Sequence, residues 1–133
     1  RSRGLGDVYK RQVVYMDFWA SWCGPCRQSF PWMEEMQEKY ADQGFTVVAV
    51  NVDSDSESAE QFLHEVSHNF PIVLDPEGDV ARRYELQGMP TSFLISRDGQ
   101  QIESHTGFRK KDREELEQRI REALAVNSPE QKS

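Results

Sequence analysis

The segment Asp17-Phe18-Trp19-Ala20-Ser21-Trp22-Cys23-Gly24-Pro25-Cys26 joins an apolar stretch to two cysteines separated by two residues. Just upstream, Val13–Phe18 is β-branched and aromatic, a pattern typical of a short buried strand. Downstream, large apolar side chains recur at near-helical spacing from Gly24 to about Gln43, and Gly44 can end the helix. The two cysteines are therefore predicted to lie where a strand ends and a helix begins.

The rest of the chain continues the alternation of strands and helices. The run Phe45–Val52 is too apolar to have a wet face, which predicts a central, parallel strand. Asp98-Gly99 is a strong hairpin signal between two later strands. The other predicted elements are a helix after Asp53–Ser56, a strand at Ile72–Leu74, a short helix at Val80–Tyr84, hairpin strands at Thr91–Ile95 and Gln101–His105, and a final helix with Leu116, Ile120, Ala123 and Leu124. This order predicts an α/β fold with a mixed central β-sheet flanked by helices on both faces.

Length and composition limit what the chain can do. At 133 residues, with 37% hydrophobic residues, it can form one domain around one core. A net charge of −7 argues against nucleic-acid binding, which needs a basic face. No run approaches the roughly 20 apolar residues of a membrane-spanning helix. We therefore expect a soluble domain with no nucleic-acid partner.

A Cys-x-x-Cys pair can be a structural disulfide, half of a zinc site or a redox couple. A tetrahedral zinc site needs about four ligands, but the chain has no other cysteine and its three histidines lie far along the sequence. A structural disulfide that closes so short a loop gains little stabilisation. We therefore predict a redox-active pair and no metal site.

The position of the pair assigns a different role to each cysteine. The amide groups and positive dipole end of the predicted helix favour a thiolate at Cys23, which becomes the nucleophile. Cys26 lies on the same side of the first helical turn, within reach of a mixed disulfide formed by Cys23. Gly24 and Pro25 suit the turn between them, because a proline at a helix start forfeits only an amide that would be unpaired.

The segment 17–26 resembles the thioredoxin active site, and Pro31 matches the proline that kinks the active-site helix of that family. The longer pattern, with Val48–Asp53, Phe70–Asp75 and Gly88–Thr91, resembles the TlpA/ResA branch of extracytoplasmic thiol-disulfide reductases. The likeness runs from Val13 to about Ala125. It implies a thioredoxin fold with a TlpA-type strand-helix insertion near 70–84, and no cofactor beyond the Cys23–Cys26 disulfide.

The resemblance also implies roles for individual residues. Asp17 is the proton acceptor that helps deprotonate Cys26; the alternative is an acid that bonds the backbone, but an acid in an apolar strand is costly unless it has a use. Pro90 is a cis-proline facing the disulfide, and the backbone of Met89 pairs with the substrate chain; from sequence alone Pro90 could equally be a trans turn proline. Trp22 borders the substrate surface together with Gly24 and Pro25, whereas Trp19 packs in the core.

One residue departs from the family pattern. Reductases of this type that act in cytochrome c maturation often carry a glutamate three residues after the second cysteine, and here that residue is Ser29. We therefore do not expect specialisation for apocytochrome c. The Gly-Pro dipeptide between the cysteines is that of thioredoxin, which points to a couple near about −270 mV and not the about −120 mV of a DsbA-type oxidant.

The leading hypothesis is a reductase of protein disulfides whose dithiol is regenerated by an upstream thiol electron donor. A thiol oxidase or isomerase is the second hypothesis, and a non-catalytic thioredoxin-like binding domain is the third. The resemblance implies a bacterial periplasmic or otherwise extracytoplasmic location, with a cytoplasmic one as the alternative.

The two ends of the chain carry separate expectations. Asp7–Gln12 back-translates to a sequence that resembles a transposon end used in sequencing libraries, so residues 1–12 are interpreted as a non-native, adaptor-derived segment. The thioredoxin-like domain is then 13–126. Residues 127–133 are polar and are predicted to be a disordered tail. A signal peptide or membrane anchor of the intact protein would have preceded Val13.

Overall fold

A computed structural model describes residues 11–126 of the chain. The segment 1–12 interpreted as non-native lies outside this range except for Arg11 and Gln12, and the predicted tail, 127–133, lies wholly outside it. The described strands are β1 (Val13–Trp19), β2 (Phe45–Asn51), β3 (Ile72–Leu74), β4 (Thr91–Ile95) and β5 (Gln101–Thr106). The helices are α1 (Gly24–Tyr40), α2 (Ser56–Glu65), α3 (Asp79–Tyr84) and α4 (Asp112–Ala125).

The strands form one mixed sheet in the order β3-β2-β1-β4-β5. β1 is parallel to β2, and β2 is parallel to β3. β1 is antiparallel to β4, and β4 and β5 form the antiparallel hairpin expected from Asp98-Gly99. β2 is parallel to both neighbours as predicted, but the central strand is β1, whose seven residues are all buried.

Helices cover both faces of the sheet, so the predicted α/β thioredoxin fold is confirmed. One face carries Tyr15 and Trp19 of β1 and packs against α1, α2 and α4. The other face carries Met16 and Phe18 and packs against α3, whose Tyr84 ring lies 5.4 Å from that of Phe18. The inserted strand and helix expected near 70–84 are β3, at the sheet edge, and α3.

The end of α1 differs in detail from the sequence prediction. The α-helix ends at Tyr40, and Ala41–Gln43 tighten into a 3-10 turn before Gly44. Gly44 has φ +90°, a left-handed conformation that glycine adopts without the steric cost of a Cβ atom. This glycine therefore ends the helical segment where expected, and the chain reverses directly into β2.

Candidate active site

The two cysteines lie at the amino-terminal end of α1 and are joined as a disulfide, with Cα atoms 5.3 Å apart. Cys23 is the N-cap of the helix, and its Sγ accepts a hydrogen bond from the Cys26 amide at 3.3 Å. Cys23 is 4% exposed, whereas Cys26 is 0% exposed. Cys23 is therefore the more accessible of the two cysteines, and the helix end favours a thiolate there once the disulfide is reduced.

The surface around Cys23 combines an exposed aromatic ring with exposed backbone. Trp22 is 69% exposed, and Gly24 and Pro25 are also exposed. Trp19, by contrast, is fully buried, with its ring 5.0 Å from that of Phe30. The two tryptophans of the motif thus differ as the sequence predicts, one in the core and one at the surface beside the disulfide.

Asp17 lies on β1, on the sheet face covered by α1, the helix that carries Cys26. It is 2% exposed, and among the described residues its Oδ2 has no hydrogen-bond partner. Burial raises the pKa of the Asp17 carboxyl well above its usual range, because the charged form loses its hydration. This carboxyl is thus suited to hold a proton in the interior of the protein.

Pro90 lies where β4 begins, and the Met89–Pro90 peptide bond is cis. Because Thr91 pairs with Phe18, Pro90 lies beside the end of β1, where the chain leaves for Cys23. The Pro90 carbonyl accepts a hydrogen bond from the Gly107 amide at 2.6 Å. The fold therefore brings Met89 and Pro90 to the same end of the sheet as the disulfide.

Ser29, the departure from the family pattern, is buried one turn after Cys26. Its hydroxyl donates to the Cys26 carbonyl at 3.0 Å. A hydroxyl that caps a helical carbonyl is uncharged, so this position supplies no carboxylate to the site. Asp17 is a buried acid of the sheet face that α1 covers.

Asp53 holds the loop before Cys23, a role that sequence reasoning missed. Its carboxylate accepts from the Ser21 amide at 2.8 Å, from the Ser21 hydroxyl at 3.0 Å and from the Asn51 side-chain amide at 2.7 Å. Sequence analysis placed Asp53 only in the segment before α2, and the side chain that caps this helix is that of Asp55. The only available signal was an acid directly after an apolar strand.

Replacing Asp53 by alanine is expected to lower the free energy of unfolding by about 2–3 kcal/mol, because the partly buried Ser21 amide and the buried Asn51 side chain lose a charged acceptor. Asp55→Ala is the matched control, since it removes an exposed helix cap worth about 1 kcal/mol. Urea denaturation of both variants in the oxidised form measures the difference. Equal losses would show that Asp53 holds the loop no more strongly than a surface cap.

Within residues 11–126, no three or more His, Cys, Asp or Glu side chains are grouped so that they could hold a metal ion. None of the helices in that range combines the length and apolar character required to cross a bilayer.

Comparisons with known proteins agree with this geometry. Residues 3–120 match the family model described as Redoxin. The thiol-disulfide oxidoreductase ResA of Bacillus subtilis (strain 168) is 36% identical over 103 residues, which cover 77% of this chain and 57% of that protein. ResA of Bacillus thuringiensis subsp. konkukian (strain 97-27) is 32% identical over 113 residues, which cover 85% of this chain and 64% of that protein. The chain thus spans less than two thirds of the length of these curated relatives.

Solved structures show the same fold. A Chlorobium tepidum protein, given the provisional name thiol:disulfide interchange protein DsbE, superposes with a TM-score of 0.88 at 54% identity, covering 90% of this chain and 84% of that one. StoA from Bacillus subtilis has a TM-score of 0.70 at 28% identity, covering 82% of each chain. With its thioredoxin fold and its Cys23–Cys26 disulfide at a helix start, this chain belongs to the redoxin family and is of the TlpA/ResA type.

Proposed function

We propose that this protein reduces disulfide bonds in other proteins. The observation that carries the proposal is the unequal placement of the two sulfurs, with Cys23 at the surface end of α1 and Cys26 sealed beneath it. Such an arrangement suits a reaction in which one sulfur meets the substrate and the other acts only after the substrate is bound.

The reaction proceeds in two exchanges. The Cys23 thiolate attacks one sulfur of the substrate disulfide, a mixed disulfide forms, and the other substrate sulfur leaves as a thiolate. Cys26 then gives its proton to Asp17 and attacks the Cys23 sulfur. The Cys23–Cys26 disulfide forms, and the second substrate sulfur leaves. The substrate gains two electrons, which an upstream dithiol donor returns to this protein.

The proposed substrate surface surrounds Cys23. Trp22 offers an exposed aromatic face beside the disulfide, and Gly24 and Pro25 present backbone that a substrate can approach closely. On the other side, the backbone of Met89, before cis Pro90, pairs with the extended substrate chain. Because Ser29 leaves no acid at its position, the proposal does not extend to specialisation for apocytochrome c.

The proposal also covers the cellular location of the protein. Relatives named ResA and DsbE support a location outside the bacterial cytoplasm, with the periplasm as the proposed compartment. There the domain 13–126 would meet folding proteins and a dithiol donor, attached to the membrane through a segment that precedes Val13 in the intact protein. Residues 1–12 remain proposed as non-native.

The equilibrium reduction potential of the Cys23–Cys26 couple distinguishes a reductase from an oxidant. Trp22 lies next to the disulfide, so tryptophan fluorescence in defined thiol/disulfide buffers follows the equilibrium. We expect a potential near or below about −250 mV, as in thioredoxin-like reductases. A potential near about −120 mV would contradict the proposal and identify the disulfide as the active form, donated to folding chains.

A further inference from the structure

A row of polar side chains crosses the otherwise apolar face of the sheet, starting at Asp17. Asp17 of β1 pairs with Ser92 of β4, and Ser92 pairs with His105 of β5. Side chains directly opposite on antiparallel strands lie on the same face, with Cβ atoms about 4.5–5.5 Å apart. Exposure increases along the row, from 2% at Asp17 and 4% at Ser92 to 28% for the His105 side chain.

The row borders a small cavity between the hairpin and α4. The cavity has a volume of about 90 Å³ and is lined by Tyr15, Ser92 and His105, among others. That volume suits a few water molecules, which Ser92 and His105 can hydrogen-bond, although aliphatic side chains also line the cavity. Tyr15 is on the same face as Asp17 and is hydrogen-bonded to Ser92. Burial raises the pKa of the Tyr15 hydroxyl, and the nearby charge of Asp17 raises it further. Tyr15 and Ser92 therefore separate Asp17 from the cavity.

His105 lies on the outer side of the cavity, where α4 orients it. Its Nε2 lies 3.1 Å from Oδ2 of Asp112, the same oxygen that accepts from the Arg109 amide at 2.9 Å. Burial raises the pKa of Asp112, but the bonds from Arg109 and His105 outweigh burial, so its pKa is lower than usual. An ionised Asp112 thus holds the imidazole in one orientation, and a neutral imidazole ring offers one nitrogen that can donate and one that can accept a hydrogen bond.

The cations of α4 and of the turn before it also form ion pairs near His105. Arg119 of α4 lies 3.1 Å from Glu103 of β5 and 3.4 Å from Glu115. Arg109 lies 3.7 Å from Asp112. His105 consequently has one carboxylate partner, Asp112, and lines the same water-sized cavity as Ser92 and the ion-paired Glu103, Glu115 and Arg119.

We propose that Ser92, the cavity and His105 form the path by which Asp17 exchanges its proton with solvent. This inference rests on the proposed role of Asp17 in resolving the mixed disulfide. When Asp17 is protonated in the reduced protein, it must first release that proton through Ser92 and cavity water to His105, and from there to solvent. The ionised carboxylate can then accept the proton of Cys26, whose thiolate attacks Cys23. Asp112 is a positioning residue that orients His105.

The test measures the resolution step in single turnovers with a disulfide-linked peptide in large excess, so that formation of the mixed disulfide is fast. We expect His105→Ala and Ser92→Ala each to slow this step roughly 10-fold near neutral pH. The loss is smaller than the about 10²–10⁴-fold of direct general acid–base catalysis, because cavity water still provides a slower route. Exposed His64 of α2 gives the control, and His64→Ala should leave the rate unchanged.

Chemical rescue separates proton transfer from a structural effect. Added imidazole should restore the rate of His105→Ala in a concentration-dependent way and should not restore Ser92→Ala. His105→Gln provides a second variant, since its amide can still reach Asp112 but carries no titrating proton. A His105→Gln rate equal to that of the unmodified protein, or no rescue by imidazole, would overturn the path.

Asp17→Asn distinguishes failure of the path from failure of the proposed function. The amide of this variant does not ionise, so no carboxyl proton has to leave, and adding His105→Ala to Asp17→Asn should slow resolution no further. If Asp17→Asn slows resolution while His105→Ala and Ser92→Ala do not, the path is wrong and the proposed function stands. If Asp17→Asn leaves resolution unchanged, the proton-acceptor role fails and the path fails with it.

Discussion

Cys23→Ser should lower the rate of disulfide reduction by at least about 10⁴-fold, the scale of loss when an enzyme loses its nucleophile. A serine hydroxyl does not ionise at the end of α1 near neutral pH, whereas a thiol there does. Cys26 cannot take over, because it is 0% exposed, and the chain contains no third cysteine. Turnover of a disulfide-linked fluorescent peptide with a dithiol donor measures the loss.

Cys26→Ser is the matched variant, and its expected behaviour is different. Cys23 can still attack, but nothing resolves the product, so a mixed disulfide with the substrate should accumulate and be visible on a non-reducing gel. Disulfide exchange that survives Cys23→Ser would show that Cys23 is not the nucleophile. Retained binding of unreduced partners by both variants, with no exchange by the unmodified protein, would instead favour a non-catalytic binding domain.

Asp17→Asn should slow resolution of the mixed disulfide by about 10²-fold, the lower range for loss of a general acid–base group. The same change should stabilise the oxidised protein at neutral pH. Burial raises the pKa of Asp17 in the folded state above its value in the unfolded chain. Below the unfolded pKa, about 3.9, the carboxyl is protonated in both states and its contribution to stability is fully present. That contribution is lost as pH rises towards the folded pKa, because only the unfolded chain ionises freely.

Urea denaturation of the oxidised protein at several pH values measures this second effect. The stability advantage of Asp17→Asn should be small near pH 3 and should grow as the pH rises. Asp112→Asn is a useful contrast, because the lowered pKa of Asp112 has the opposite sign and its contribution is present above the unfolded pKa. An advantage of Asp17→Asn that does not change with pH would contradict a buried carboxyl with a raised pKa.

Local sequence was sufficient to predict most of the fold. Three short apolar segments were predicted as strands because their apolar content and length leave few alternatives: Val13–Phe18, Phe45–Val52 and Ile72–Leu74. The observed boundaries of these strands differ from the predicted ones by one residue at most. The hairpin followed from Asp98-Gly99. The last turn of α1 differed in type, because a 3-10 turn and an α-helical turn carry nearly the same sequence signal.

The chemistry of the cysteine pair was equally local. A strand followed directly by Cys-Gly-Pro-Cys places both sulfurs at a helix start, so the unequal roles of Cys23 and Cys26 could be predicted before any tertiary contact was known. Asp17 also stood out by itself, as an acid within an apolar strand. The sequence alone therefore determined the fold class, the cysteine pair at a helix start and the buried acid in β1.

Other features depended on contacts between distant segments. Asp53 reaches Ser21 across 32 residues of sequence, and His105 meets Ser92 only because β4 and β5 pair in one register. A one-residue shift of that register would have turned His105 to the other face of the sheet. Register is set by how all five strands and the helices pack together and not by the residues next to any one strand. For that reason only the tertiary structure could show which polar side chains hold the loop before Cys23 and which lie across the sheet from Asp17.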